Sequence, residues 1–488
     1  MKHKHLSHLR RSRGFAVVVA AGLALGTVAA CGSNDDAGTA DGGDASSAGT
    51  TEAAGSTDSG GSNDSNGQDT STEISGTVDW WGWAPVPAVA EELIAEFNKV
   101  YPNVTVNYKY HSWTDYVAAM APAIRSDEAP DVFGLVSGGE GVGIASYGEY
   151  MHDLTAAAEA AAGPNWRDTV APGYLAMEIR DDGAVVGLPF AGVAAGFGWV
   201  NQDMLDERGL TYPTNYDEWV STCATLAEED ITCLAVGAAR GDFMTIIETV
   251  RPFANSFDPT FFYGALQGER QWDDQVWVDT LTKVKQMYDD GIFPEDVLGI
   301  LTSPDATNLF LQGKALLVAT GSWYAQDTVK DMMIAAQEAA GVSNPEPFTI
   351  LPVSYPDVAG LGNEPVWFGD TDYGLAITES SDNIPAAEAL VTFMTLNPTA
   401  QQISVNLLQA MPVLVGMMPD FDAVELVNPE VQKPALEEMI NKATSVTESR
   451  QFLMDTDCVN AVYDSIITVL DGSATPEESA QRLQQELG

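Results

Sequence analysis

Residues 76–110 read GTVDWWGWAPVPAVAEELIAEFNKVYPNVTVNYKY. Ile74 to Trp80 has the short apolar pattern of a strand. Trp80-Trp81-Gly82-Trp83-Ala84-Pro85 then breaks it with glycine, proline and three indoles. Val89, Leu93, Phe97 and Val100 recur at helical spacing, and Val104, Val106, Tyr108 and Tyr110 alternate as in a half-buried strand. Strand, loop, helix and strand in that order predict α/β layers.

Downstream the same alternation continues. Tyr116, Met120 and Ile124 predict a helix, and Asp131 to Val136 a buried strand. Trp277, Leu281, Val284 and Tyr288 mark one helix face. Ile384 to Leu396 and Val459 to Leu470 are further helices. Thr475-Pro476-Glu477-Glu478 places a capping threonine before proline and glutamate, which starts a last helix. No internal repeat and no long low-complexity segment follows residue 75. With 488 residues, 45% of them apolar, the chain can build two or three sizeable cores.

Upstream the pattern changes. Lys2, Lys4, Arg10, Arg11 and Arg13 precede an apolar run from Phe15 to Val28, and no acidic residue occurs before Asp35. The run is shorter than the about 20 residues that span a bilayer, so residues 1–30 read as an export signal. Val28-Ala29-Ala30-Cys31 resembles a bacterial lipobox, which makes Cys31 the expected lipidated first residue of the mature chain. Residues 31–75 are dominated by Gly, Ser, Thr, Asp, Asn and Ala and cannot bury enough apolar surface to fold. The expected arrangement is a globular body on a tether, lipid-anchored to the cell membrane on its extracytoplasmic face.

The formal charge is −48, from 22 basic and 70 acidic residues. A nucleic-acid binder needs a basic face, so that class is excluded. Of five histidines, His3, His5 and His8 lie in the export signal; His111 and His152 remain. That excludes a multi-histidine metal centre, and no cofactor or metal is expected. Besides Cys31 the chain holds Cys223, Cys233 and Cys458. Cys223 falls in a helical pattern (215–228) and Cys233 opens the following strand pattern, so these two are the candidates for a disulfide outside the cell. Cys458 has no basic neighbour in sequence and reads as a buried thiol.

Tryptophan is the informative residue. Three clusters adjoin strand patterns: Trp80 to Trp83, Gly321-Ser322-Trp323 after the strand pattern 315–319, and Trp367 to Gly374 before the strand pattern 375–378. Ligands of open α/β sheets sit beyond the carboxyl ends of strands. An indole face suits the C–H face of a sugar ring or a cation. Trp113, Trp219 and Trp277 fall inside helical patterns and read as packing residues. Glu91-Glu92, Asp181-Asp182 and Asp273-Asp274 are adjacent acids of solvated surfaces, and no spacing marks an acid–base pair. The glycine-rich run 138–143 lacks the lysine of a phosphate loop.

An ordered series now carries a resemblance. Val78 to Phe97 is followed by Ala129-Pro130-Asp131-Val132, Tyr147-Gly148, Asp153-Leu154, Gly187-Leu188-Pro189-Phe190 and Asn201. Tyr216-Asp217-Glu218-Trp219, Cys233 to Gly237, Phe310, Gly313-Lys314-Ala315, Gly321-Ser322-Trp323, Ile377 to Ser381 and Pro412 complete it. Over residues 76–488 the chain resembles the family 1 extracellular solute-binding proteins of ABC importers, the maltose- and multi-sugar-binding type. The resemblance implies an α/β, two-lobed periplasmic-binding-protein-like (type II) fold, with a ligand cleft between lobes joined by three crossings. Those crossings are expected near 187–189, 351–354 and 408–412, giving lobes 76–187 plus 354–409 and 188–353 plus 410–488. It implies a monomer that binds a mono- or oligosaccharide, without catalysis, and delivers it to membrane permease subunits. The residues matching cleft-facing loops are Trp80, Trp81, Trp83, Ser137, Glu140, Arg240, Asp242, Trp323, Trp367 and Asp370. Some maltose-binding relatives carry aromatic and acidic residues where this chain has Leu135-Val136-Ser137-Gly138, a departure that leaves the sugar open. The alternatives are a cationic ligand of polyamine, choline or betaine type, a secreted glycoside hydrolase with paired carboxylates, and a receptor that reuses the fold.

Overall fold

The computed structural model describes residues 73–136, 142–240 and 243–488. The expected export signal, Cys31 and the expected tether up to residue 72 lie outside these, as do Ser137, Glu140 and Asp242.

Strand β1 (Gly76–Gly82) pairs in parallel with β2 (Val104–Tyr110) and with β3 (Val132–Leu135). Burial follows the alternation of the sequence: Val78 and Trp80 are buried and Thr77 and Asp79 are exposed. The intervening helix Pro87–Val100 begins with proline and buries Ala90, Leu93 and Phe97, one stripe at three- and four-residue spacing. Ser112 caps the helix Trp113–Ala123 by accepting from the Asp115 N–H. β4 (Leu188–Ala195) and β9 (Phe368–Ile377) complete a five-stranded sheet ordered β2-β1-β3-β9-β4. β9 runs antiparallel to both its neighbours.

A second sheet is ordered β6-β7-β5-β8, from β5 (Phe197–Asn201), β6 (Thr232–Ala235), β7 (Ala315–Val318) and β8 (Ile350–Ser354). The helices Tyr216–Ala227, Phe243–Phe257 and Gln275–Asp289 cover it and bury Trp219, Phe253 and Trp277. Cys223 and Cys233 form a disulfide that ties the first of these helices to β6, with Cα atoms 5.1 Å apart. The Thr475 capping box opens the helix Pro476–Leu487 as the sequence predicts. The helix Thr456–Leu470 starts three residues before its expected beginning, because Asp455 accepts the Cys458 N–H at 2.8 Å.

The passages between sheets fall later along the chain than expected. β4 is wholly buried and hydrogen-bonded to β9, so the first passage is Gly196, not 187–189. Gly196 has φ of +96°, and a Cβ there would stand 2.9 Å from the Phe368 ring. β8 keeps residues 350–354 in the second sheet, which puts the second passage between Ser354 and Phe368. Met411 and Leu414 still bridge to Gly192 and Val170 beside the first sheet, whereas Leu426 bridges to Val329. The third passage therefore lies between residues 414 and 426. One apolar cluster runs through this junction, from Val78 and Trp80 through Phe197, Trp199 and Trp367 to Val318 and Ala325.

Candidate functional site

Strand alternation divides the three indoles of the first cluster. Trp80 points into the core, is fully buried, lies 4.4 Å from the Tyr108 ring and donates to the Tyr373 hydroxyl at 3.2 Å. It is therefore a packing residue and not a ligand surface. Trp81 turns to the opposite face, half-buried beneath the Lys109 ammonium at 4.1 Å and 5.3 Å from His111. Trp83 lies beyond the strand end, half-buried among Trp113, Tyr116 and Tyr373 at 4.7 to 4.9 Å. Trp113 is half-buried too, so it contributes surface beside Trp83 as well as packing. Gly82 makes this nest possible, since a Cβ there would meet the Tyr373 hydroxyl at 2.2 Å.

The third cluster differs most from its sequence reading. Residues 368–374 are strand, not loop, because β4 pairs along them and β3 joins on the other side from Gly374 onward. Trp367 is 7% exposed and stacks on Phe197 at 4.1 Å, with the Lys442 ammonium 4.3 Å from its ring. It packs the junction between sheets. Asp370 is buried and accepts the backbone N–H groups of Arg450 and Gln451 at 2.8 and 2.6 Å. Burial pushes its carboxyl up to about 6, against the opposing pull of Arg450. Asp370 thus holds the 448–451 segment and does not face a ligand.

Two residues further on, β9 does something else. Tyr373 pairs with Ala191 and Thr371 with Gly192, so two steps on β9 match one on β4. Asp372 is the extra residue of this bulge, the one exposed position in an otherwise buried strand. Its carboxyl is nevertheless raised by the protein around it, with Arg450 opposing. It lies just past the carboxyl end of β3, whose Leu135 pairs with Gly374.

The second sheet answers with Trp323, half-buried after β7, and the Arg450 guanidinium lies 5.0 Å from its ring centroid. Arg450 Nε donates to Glu248 on the helix Phe243–Phe257. On that helix the buried Arg251 donates to Glu448 at 2.6 Å and to the Ser449 carbonyl at 2.8 Å, with its guanidinium 3.9 Å from the Phe368 ring. Burial lowers Arg251, and Glu448 opposes that. For Arg450, burial acts downward but Glu248, Asp370 and Asp372 together hold it raised. Each arginine therefore has a carboxylate partner. Glu178 lies beneath Thr371 and Gly374 with no exposed surface, and burial pushes it up to about 8.

Arg240 does not join this group. Its Nη2 donates to Asp464 at 2.8 Å and its guanidinium covers the Tyr463 ring, on the wall of a cavity of about 360 Å³ that also has Arg482 and Glu486. Of the ten sequence-derived site residues, the structure links Asp370 to Trp323 through Arg450, and Trp80 to Trp83 through Tyr373. Sequence reading missed Asp372 and Arg450. The bulge that exposes Asp372 depends on its register against Gly192 of β4, a segment far away in sequence, and Arg450 is distant in sequence from every aromatic cluster. Among the described residues no three His, Cys, Asp or Glu side chains converge as metal ligands. No helix among them is long and apolar enough to cross a membrane.

A family model, described as bacterial extracellular solute-binding protein, matches residues 85–401. Solved structures share the fold. A chitin oligosaccharide binding protein superposes with a TM-score of 0.64 at 19% identity, over 85% of this chain and 98% of that one. The GacH receptor of Streptomyces glaucescens, solved unliganded and with acarbose, gives 0.60 at 20% identity over 84% and 97%. Maltose-bound MalE3 of T. maritima gives 0.61 at 17% identity over 84% and 98%. No curated protein matches the chain.

Proposed function

This chain belongs to the bacterial extracellular solute-binding proteins, and from that premise we propose that it captures a carbohydrate between its two sheets and delivers it to the permease of an ABC importer. The family role is binding without catalysis. The observation that carries the ligand class is the placement of partly open indoles on elements of both sheets, with a carboxylate and a guanidinium beside them. Trp83 and Trp113 lie beyond β1 and β2, Trp323 lies beyond β7 with the Arg450 guanidinium at its ring, and Asp372 is exposed next to Tyr373, against which Trp83 packs. Indole faces take the C–H faces of sugar rings, while Asp372 accepts from ligand donors and Arg450 donates to ligand oxygens. Trp81, Ser137, Glu140 and Asp242 belong to the proposed rim by their place in the chain. Residues 1–30 direct export, Cys31 carries the lipid, and the tether through residue 75 lets the body reach a membrane partner.

Titration calorimetry with tryptophan fluorescence, against neutral malto-, xylo-, cello- and chito-oligosaccharides, tests the ligand class. Saturable one-to-one binding of at least one series is the expected result. No heat and no fluorescence change with any of them, alongside tight binding of a non-sugar solute, would remove the carbohydrate and keep the transport role.

A further inference from the structure

We infer that Glu248 is a positioning residue for ligand recognition: it aims the Arg450 guanidinium so that both terminal nitrogens are left to donate to neighbouring oxygens of a neutral sugar. The inference rests on the carbohydrate reading above and names one of its determinants. Arg450 is held at its two ends by elements of different sheets. Its backbone N–H and that of Gln451 donate to Asp370 on β9, at 2.8 and 2.6 Å. Its Nε donates to the buried Glu248, on a helix that covers the second sheet, and Gln451 Nε2 reaches the same Glu248 oxygen at 3.5 Å. Between these two anchors the guanidinium lies over the Trp323 ring, 5.0 Å from its centroid.

Arg251, one turn along the same helix, supplies the contrast. Both its terminal nitrogens are used, on Ser449 and Glu448, its Nε has no partner, and its side chain is 1% exposed. Arg450 is bound the other way round. Its Nε is used, Nη1 and Nη2 find no acceptor among the described residues, and 17% of the side chain stays open. A guanidinium carries five N–H donors in a rigid fork, so four are left for a ligand. Glu248 and Asp370 already offset the positive charge, so what remains is geometry: paired N–H groups that match two oxygens on adjacent ring carbons. Contact with the indole does not decide which nitrogens face outward. The bond from Nε to Glu248 does, and without it the long side chain regains its rotamers.

Titration calorimetry of the full chain with maltotriose, xylotriose, cellotriose and N-acetylchitotriose tests this on the parent, Glu248→Ala, Arg450→Ala and the variant carrying both changes. For each sugar that the parent binds, either single change is expected to weaken binding about tenfold or more. The double variant is expected within about threefold of Arg450→Ala, because Glu248 acts through Arg450. Glu248→Gln keeps an acceptor for Nε and stays within about threefold of the parent. Should Glu248→Ala not fold, Glu248→Asp, which keeps the buried charge but withdraws the acceptor by one methylene, is expected to show the same loss. Parent-like binding by Glu248→Ala or Glu248→Asp, or losses that multiply in the double variant, overturns the positioning role and leaves the carbohydrate reading standing. Binding of none of the four sugars by the parent removes that reading and this inference with it.

Discussion

Asp370 and Asp372 stand two residues apart on the same strand and end in opposite environments. Both lie in the stretch Trp367 to Gly374, and ordinary strand alternation would send them to the same face. The bulge at Asp372 interrupts the pairing with β4 and separates their fates. Asp370 is 3% exposed and ties the segment carrying Arg450 to the first sheet, while Asp372 is open. Trp80 and Trp83 form a parallel contrast, one filling the core and the other beyond the strand end. In each pair one residue is packed inside the protein and the other is left open to solvent, wholly or in part. Residue type alone cannot tell them apart, because the backbone decides.

Mutations can break each pair. Arg251→Ala leaves Glu448 without its buried counter-charge and is expected to cost about 3–5 kcal/mol. Trp80→Ala opens a cavity between Tyr108 and Tyr373 at a similar cost of about 3–5 kcal/mol, whereas Trp83→Ala costs less stability and mainly weakens ligand binding. Urea denaturation with and without ligand separates the two classes. Equal stability losses at Trp80 and Trp83 would erase the distinction drawn between them.

Glu178 sharpens the contrast through pH. Its carboxyl is raised from 4.5 to about 8 by burial, so the folded state holds this proton more tightly than the unfolded chain does. Its contribution to stability is therefore most favourable below about pH 4.5 and is lost as pH rises to about 8. Glu178→Gln is expected to remove that slope and to stabilise the protein by about 2–4 kcal/mol at alkaline pH. Thermal melts of both proteins across the range measure it, and parallel curves would contradict it.

Asp370→Asn keeps one acceptor for the Arg450 and Gln451 N–H groups and is expected to cost about 1–3 kcal/mol. The smallest stability effect belongs to Asp372→Asn, expected within about 0.5 kcal/mol of the parent because the side chain is exposed. A large loss there would mean that Asp372 serves the fold as Asp370 does.

The layer architecture was legible in residues 76–110, because strand and helix periods leave separate signatures there. Ile384–Leu396 and the Thr475 cap were legible for the same local reasons. Trp83 and Trp323 could be picked out because glycine and proline end the strands beside them. The passages between sheets were read too early, since β4 and β8 each run into the junction as ordinary apolar strands. Asp370 was misread because membership of a central strand depends on partners far away in sequence. Arg450 was invisible for a related reason: its neighbours Asp370, Glu248 and Trp323 arrive from three distant segments.

Gly196 alone separates the last residue of β4 from the first of β5, so a single residue carries the chain from sheet to sheet. Such a short link has no slack. A side chain at Gly196 would strike the Phe368 ring, and the apolar cluster from Trp80 to Val318 crosses the same point, so link and packing together fix how the two sheets meet.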